Sequence, residues 1–335
     1  MIKIGINGFG RIGRTLLRTI LQDESSVKAV QVSAINIGPA KPEYVAHMFK
    51  YDTIMGTYNE EVAINNNILT IGKAKIKIIA EYNAENINWK NLDVDIVVDC
   101  TGAFTDGNIA KQHLKSGAKH VIISAPAKNE DITIILGVND NLFDAEKHKI
   151  ISLGSCTTNA FLTTLKVIHD EFTITSGLMT TTHAYTNTQV LLDVEEDDLR
   201  RARAAALNII PTSTGASKLV GKIIPDLNNI VASTAIRVPV AIVSLLDLSF
   251  TCKKPTSVEQ INNAFKNAAK TSLKEILDIT TSPLVSCDFK GNSHSVIIDG
   301  LLTQSAGQMY KVFGWYDNEW GYSCRLRDFI KKLAQ

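Results

Sequence analysis

The 335-residue chain has only five cysteines, Cys100, Cys156, Cys252, Cys287 and Cys324, an odd number with no C-x-x-C pair among them. That scatter excludes a disulfide framework and a cysteine zinc site, and it fits a reducing cytoplasm in which each thiol is judged singly. No apolar run is long enough to cross a bilayer. The opening residues, Met1 to Asn7, alternate like a strand, and Gly5 cuts them before they could form the apolar stretch of a targeting signal. Charge of neither sign is in excess: 35 Lys and Arg face 34 Asp and Glu, a formal net charge of +1. Such a balance gives no general electrostatic reason to bind nucleic acid or an acidic membrane. Repeats, low-complexity tracts and flexible linkers are absent, and no ligand cluster supports metal hydrolysis. What remains is an ordinary globular composition, 45% apolar and 21% charged, at a length comfortable for two hydrophobic cores.

The first half alternates short apolar strands with helical stretches. Ile2–Asn7, Val30–Asn36, Val94–Asp99, His120–Ser124 and Thr133–Gly137 read as strands, with helices over Ile12–Leu21 and Gly107–Ser116. Ile68–Ile71 and Lys75–Ile79 read as a hairpin turned by Gly72-Lys73. This is the rhythm of a Rossmann-type doubly wound parallel sheet in an α/β protein. After Ile150–Gly154 the texture changes. A helix from about Thr157 to His169 leads into longer strands, Ile174–His183, Ile230–Pro239, Ala241–Cys252 and Met309–Asp317. These predict a second, α+β domain with a mixed or antiparallel sheet. A last amphipathic helix runs from about Tyr322 to Leu333. The domain boundary falls near residue 154.

Gly8-Phe9-Gly10-Arg11-Ile12-Gly13 fits G-x-G-x-x-G, directly after a strand and opening a helix. Gly8 allows the tight turn, Gly10 lets backbone approach a pyrophosphate, and Gly13 permits close helix–sheet packing. The acid that usually ends the second strand and binds the ribose is missing, because the run here is Ala34-Ile35-Asn36-Ile37-Gly38. The loop alone therefore leaves NADP open beside NAD.

Ser155-Cys156-Thr157-Thr158-Asn159 follows a strand and begins a helix, where the dipole favours a thiolate and lowers a cysteine pKa. The strand Gly177–Thr182 runs into His183. Either residue alone has an ordinary structural reading, but together they supply a nucleophile and a general base. Thr212-Ser213-Thr214-Gly215 and Arg237, an arginine inside an apolar strand, suit phosphate oxygens. A structural salt bridge is the alternative for Arg237. Arg200, Arg201 and Arg203 lie beside the acidic run Glu195–Asp198, where mutual pairing is the default.

Six strings in order along the chain carry a resemblance to the phosphorylating glyceraldehyde-3-phosphate dehydrogenase family. They are INGFGRIG from Ile6, SCTTN from Ser155, TTHAYT from Thr181, IIPTSTG from Ile209, IRVP from Ile236 and WYDNEWGYS from Trp315. The resemblance implies that Cys156 attacks an aldehyde, that His183 takes the hydroxyl proton as hydride passes to NAD, and that inorganic phosphate cleaves the thioester. It implies that Thr186 and Arg237 bind the substrate phosphate, and that Ser155, Thr157, Thr214, Gly215 and Arg201 line a second phosphate position. Arg11, Ile12, Thr101, Ser124 and Asn318 correspond to cofactor contacts. By the same likeness the chain is a homotetramer whose segment near 184–206 packs against a neighbour's cofactor. Residues 318–335 would then join residues 1–154 in the dinucleotide-binding domain, leaving 155–317 as the catalytic domain.

The chain also departs from the family pattern. The usual acid after Ala-Ile-Asn is replaced near Ile37, and Tyr82 stands where an adenine-contacting arginine is common. Leu153-Gly154 and Ala160 flank the cysteine motif where Asn-Ala and Cys are more usual. Glu195 would repel a 2′-phosphate and favours NAD. Erythrose-4-phosphate dehydrogenase is the nearest alternative activity, and a non-catalytic binding role the alternative of another class.

Overall fold

The computed structural model describes residues 1–334, which fall into two units. The first comprises Met1–Ile134, Asn141–Gly154 and the chain from Ser323 onward; the second comprises Ile135–Asp140 and Ser155–Tyr322.

In the first unit, Ile2–Asn7 pairs in parallel with Val30–Asn36 on one side and Ile96–Asp99 on the other. His120–Ile123 and Ile150–Ser152 extend the parallel run. Ile96–Asp99 is buried at every position, the continuous apolar pattern expected of a strand covered on both faces. The hairpin of Ile68–Ile71 and Ala74–Ile79 joins the edge of Val30–Asn36, and Val62–Asn65 adds a further antiparallel strand. The resulting nine-stranded sheet is the doubly wound architecture that the alternating pattern predicts.

The second unit is built on an eight-stranded mixed sheet. Ile174–Ala184 lies in its interior, parallel to Val231–Val238 and antiparallel to Ser244–Cys252. Ser244–Cys252 and Met309–Tyr316 alternate buried with less buried residues, so one face is apolar. The helix Cys156–Phe172 packs on that face, with Phe161, Leu165 and Ile168 among Leu246, Leu248 and Val312.

Three differences from the sequence pattern have physical causes. Thr133–Gly137 is strand only at Ile132–Thr133. Beyond it the side chains of Asn139 and Asp140 take the N–H groups of Ile135 and Gly137, and Gly137 turns the chain at φ +78°. The helix Pro42–Lys50, which has proline in its first turn, was not marked by its apolar spacing. The helix Val258–Lys270 likewise starts from a capping box, with Ser257 and Gln260 satisfying each other's backbone N–H.

A buried polar chain fixes the ends of the central strands in the first unit. The Trp89 indole N–H donates to Nδ1 of His113 at 3.0 Å, so the ring's proton sits on Nε2, 3.5 Å from Asp99 Oδ2. Asn7 also donates to Asp99 Oδ2, at 2.7 Å, and Asp99 Oδ1 receives the N–H and hydroxyl of Thr101.

Phe161 is fully buried at the centre of the second core, where truncation leaves a cavity that the sheet cannot collapse into. Phe161→Ala should cost about 3–5 kcal/mol of the second unit's stability. Urea unfolding followed by circular dichroism would show this as a transition at lower denaturant.

Candidate active site

Cys156 is the first residue of the helix Cys156–Phe172, and Ser155 is its cap, accepting the Thr158 N–H at 3.1 Å. His183 stands near the end of the strand Ile174–Ala184, and Arg237 is its neighbour on the parallel strand. The two strand positions and the helix start converge. Cys156 Sγ lies 3.5 Å from His183 Nε2, and Arg237 Nη1 lies 2.8 Å from His183 Nδ1. Thus the three residues singled out by the sequence meet in one place.

The His183 ring has two alternative arrangements. Nδ1 is 2.7 Å from the Ala184 carbonyl oxygen, which also accepts from Arg237 Nη1 at 2.9 Å. One nitrogen cannot both donate to that carbonyl and accept from the guanidinium. With its proton on Nδ1, the ring donates to Ala184 and offers a bare Nε2 to the thiol. With its proton on Nε2, the ring accepts from Arg237 and donates toward sulfur.

Burial sets the electrostatics. It pushes the Cys156 thiol up, while the Arg237 charge, the Thr157 hydroxyl and the first N–H groups of the helix pull it back without restoring the usual value. The lowered pKa expected from the helix position is therefore overcome for the isolated thiol. Burial, joined by Arg237, drives His183 down to about 3 against the Ala184 carbonyl, so the ring is neutral at neutral pH. A neutral imidazole is the form a general base requires. Proton transfer from sulfur to Nε2 makes both charges at once, 3.5 Å apart, so their attraction offsets much of the desolvation that opposes either alone.

A hydroxyl cluster lies beneath the pair. Tyr316 OH is 2.9 Å from Thr157 Oγ1 and 2.7 Å from Thr181 Oγ1, and its ring stands at 77° to that of His183. Burial raises the phenol's pKa and keeps it protonated. Ser244 Oγ accepts the Ala184 N–H and donates to Asn318 Oδ1, which places Asn318 at the end of the histidine strand. Tyr316, Thr181 and Ser244 were not among the expected site residues. Their strand alternation is legible in the sequence, but nothing local brings position 316 to position 157.

The remaining phosphate candidates are more dispersed. Thr186 follows the histidine strand, and its hydroxyl meets Thr188. Thr214 Oγ1 accepts the Ala216 N–H, and Gly215 caps the helix Ala216–Ile223 with open space where a Cβ would stand. The Arg201 Nε donates to Thr212 at 2.9 Å and lies 3.7 Å from Asp198, while Arg203 pairs with Asp193. Thr212 pairs in register with Ala235, so Arg201 lies on the sheet edge that carries Arg237, and its charge opposes that of Arg237.

The glycine loop in the first unit has the shape a dinucleotide requires. Gly8 adopts φ +92°, and a Cβ there would meet the Thr101 backbone N at 2.8 Å. A Cβ on Gly13 would meet the Gly8 carbonyl oxygen at 2.2 Å, whereas one on Gly10 would meet nothing within 4 Å. The loop is thus closed on its protein side and open at Gly10, a cradle for phosphate oxygens at the start of the helix Arg11–Gln22. Beside it a cleft of about 560 Å³ is lined by Gly8, Gly10, Asn36, Ile37, Glu81 and Thr101, among others. The Arg11 guanidinium is held by Asp52, and Ile12 follows it in the first helical turn. The Ser124 N–H donates to the Asp99 carbonyl at the cleft's strand ends. These residues fit a dinucleotide such as NAD.

Comparison with known proteins matches residues 2–107 to the family model described as glyceraldehyde 3-phosphate dehydrogenase, NAD binding domain. Residues 155–318 match the C-terminal domain model of the same family. The chain is 47% identical over 334 residues to glyceraldehyde-3-phosphate dehydrogenase 2 of Bacillus subtilis (strain 168), covering 99% of this chain and 97% of that protein. It is 48% identical over 336 residues to glyceraldehyde-3-phosphate dehydrogenase 1 of Bacillus cereus, covering 100% and 99%. Identity to the Geobacillus stearothermophilus glyceraldehyde-3-phosphate dehydrogenase is 47% over 334 residues, covering 99% and 98%.

The two loop glycines should separate stability from binding. Gly13→Ala forces a methyl against backbone and should lower the thermal midpoint by about 4 °C or more. Gly10→Ala should leave the midpoint within about 1 °C and weaken NAD binding about tenfold, because its methyl occupies space kept for pyrophosphate. Thermal melts and quenching of tryptophan fluorescence by NAD measure the two effects.

Proposed function

This chain belongs to the glyceraldehyde-3-phosphate dehydrogenase family, and on that premise we propose that Cys156, His183 and Arg237 carry its conversion of glyceraldehyde 3-phosphate to 1,3-bisphosphoglycerate. It is an NAD-dependent oxidoreductase of glycolysis. The observation that most supports these roles is the 3.5 Å approach of Cys156 Sγ to His183 Nε2 at the helix N-terminus, with Arg237 behind the ring.

In this reading the sulfur adds to the aldehyde carbon as its proton passes to Nε2, and the proton then moves to the new oxygen to give a thiohemiacetal. The Cys156 N–H and the imidazole N–H hold that oxygen as negative charge develops. NAD, when bound, would supply the acceptor for the hydride of the former aldehyde carbon. His183 takes the hydroxyl proton, and a thioester remains on Cys156. Inorganic phosphate displaces the sulfur, which leaves as a thiolate facing the imidazolium, and the acyl phosphate departs. Arg237 and Thr186 receive the substrate's own phosphate. Ser155, Thr157, Thr214, Gly215 and Arg201 form the position for the attacking phosphate, with Arg201 released from Thr212 and Asp198 to do so. Gly8, Gly10, Arg11, Ile12, Gly13, Thr101, Ser124 and Asn318 hold NAD. Residues 1–154 with 318–335 form the part that binds it, and 155–317 the part that carries the chemistry.

The chain is further read as a cytoplasmic homotetramer. No described helix is long and apolar enough to cross a membrane. Leu191, Leu192, Leu199, Leu207 and Ile209 are all exposed on one segment after the histidine strand, as a subunit contact there would require. Sedimentation of the purified protein should give four times the 36.6 kDa chain mass. A monomer at micromolar concentration would overturn that reading.

Steady-state assays with glyceraldehyde 3-phosphate, inorganic phosphate and NAD test the chemistry. Cys156→Ser should abolish phosphate-dependent NAD reduction, and His183→Asn should lower kcat about 10²- to 10⁴-fold. Arg237→Met should raise the sugar-phosphate KM about 10- to 100-fold by removing a charge-assisted contact. Full activity in Cys156→Ser would sink the assignment.

A further inference from the structure

The dinucleotide cleft has side-chain charge of one sign. Its lining includes Glu81 and Glu85 and no lysine, arginine or histidine. The position that ordinarily ends the second strand with an acid is Ile37, which is 8% exposed and packs as part of the core. Within this cleft, an acid for the ribose has to come from another position on the rim.

The sheet places one carboxylate there. Val30–Asn36 pairs in parallel with Ala74–Ile79, Asn36 opposite Ile79, and the Ile37 N–H donates to the Ile79 carbonyl at 2.8 Å. Glu81 follows two residues beyond Ile79. Asn36 clamps this alignment: its Oδ1 accepts the Glu81 N–H and its Nδ2 donates to the Glu81 carbonyl, both at 3.0 Å. Glu81 Oε1 accepts from the Asn83 N–H and Asn86 Nδ2, each at 3.2 Å, and Oε2 has no hydrogen bond among the described residues. One oxygen thus orients the carboxylate, and the other is left to accept from a ligand hydroxyl.

We propose that Glu81 supplies, from the adjacent strand, the ribose-recognising acid missing at Ile37, and is the residue that selects NAD over NADP. This rests on the cleft being the adenosine end of the dinucleotide site. A ribose 2′-hydroxyl donates to a carboxylate, whereas a 2′-phosphate brings a second anion to a rim that holds Glu81 and Glu85 and no cation.

The test is equilibrium binding of NAD and NADP to the intact enzyme, read by tryptophan quenching. Each ratio is taken on one preparation, so a smaller folded fraction lowers amplitude without moving Kd. Glu81→Gln should weaken NAD about 3- to 10-fold and leave NADP unchanged or tighter, so that the NADP-to-NAD Kd ratio falls about 3- to 10-fold or more. Glu81→Asp, which keeps the charge, should retain most of the ratio. Ile37→Asp combined with Glu81→Gln should restore it. Equal weakening of both dinucleotides, or no change, in Glu81→Gln overturns the proposal. If Ile37→Asp alone also changes neither Kd, the cleft is not the adenosine site and the underlying reading fails with it. If Ile37→Asp shifts the ratio while Glu81→Gln does not, only the role of Glu81 fails.

Discussion

The arrangement around Cys156 depends on a constraint of low-dielectric chemistry: neither the thiol nor the imidazole can easily carry charge alone. Burial opposes a lone thiolate at Cys156 and a lone imidazolium at His183. Only the paired form, with both charges created together at hydrogen-bonding range, avoids most of that cost. The geometry is consequently demanding. A helix start, the end of one strand and the neighbouring strand's arginine have to be held in register with one another. The parallel pairing of His183 with Arg237 and the packing of Phe161 beneath the helix meet that demand through the mixed sheet as a whole.

The hydroxyl layer under the pair has a complementary role. Tyr316, Thr157, Thr181 and Ser244 are buried, with Tyr316 bonded to both threonines and Ser244 to Asn318, so they surround the reacting groups with dipoles and add no titrating charge near neutrality. Arg237 is the nearby cation, and His183 and Ala184 hold it through a nitrogen and a carbonyl that compete for the same hydrogens. Movement of that guanidinium toward an anion would free Nδ1 to donate to Ala184, the ring form with a basic Nε2. Substrate charge and proton acceptance are thereby linked through one side chain.

Much of this was legible in the linear chain, though unevenly. The strands of the first unit and the glycine loop follow from apolar runs and turn chemistry within a few residues of each other. Cys156 was locatable because a cap precedes it and a strand leads to it, and His183 because it ends a strand. Tyr316, by contrast, lies 159 residues from Thr157, and only the order of strands in the sheet brings them together. Thr133–Gly137 reads as a strand because Ile134-Ile135-Leu136 is a continuous apolar run, as in a buried strand, while Asn139 and Asp140 capture the backbone N–H groups that pairing would use. The thiol's environment was also misjudged from the helix start alone, since burial is not a local property of the sequence. Glu81 was invisible for the same reason as Tyr316: its proximity to the second strand is a matter of register.

Asn36 has a wider consequence. Its one carboxamide bonds Asn7 at the end of Ile2–Asn7, the Glu81 backbone beyond Ala74–Ile79 and Gly38 in its own loop. The tips of three strands are therefore a single rigid lip. A ligand arriving there has little chain to order, so the entropy of shaping the cleft is spent during folding and not on binding. Among variants along this lip, differences in affinity belong mainly to the dissociation rate, with association left nearly constant. The residence time of the bound molecule is, in that sense, set by an amide that need not touch it.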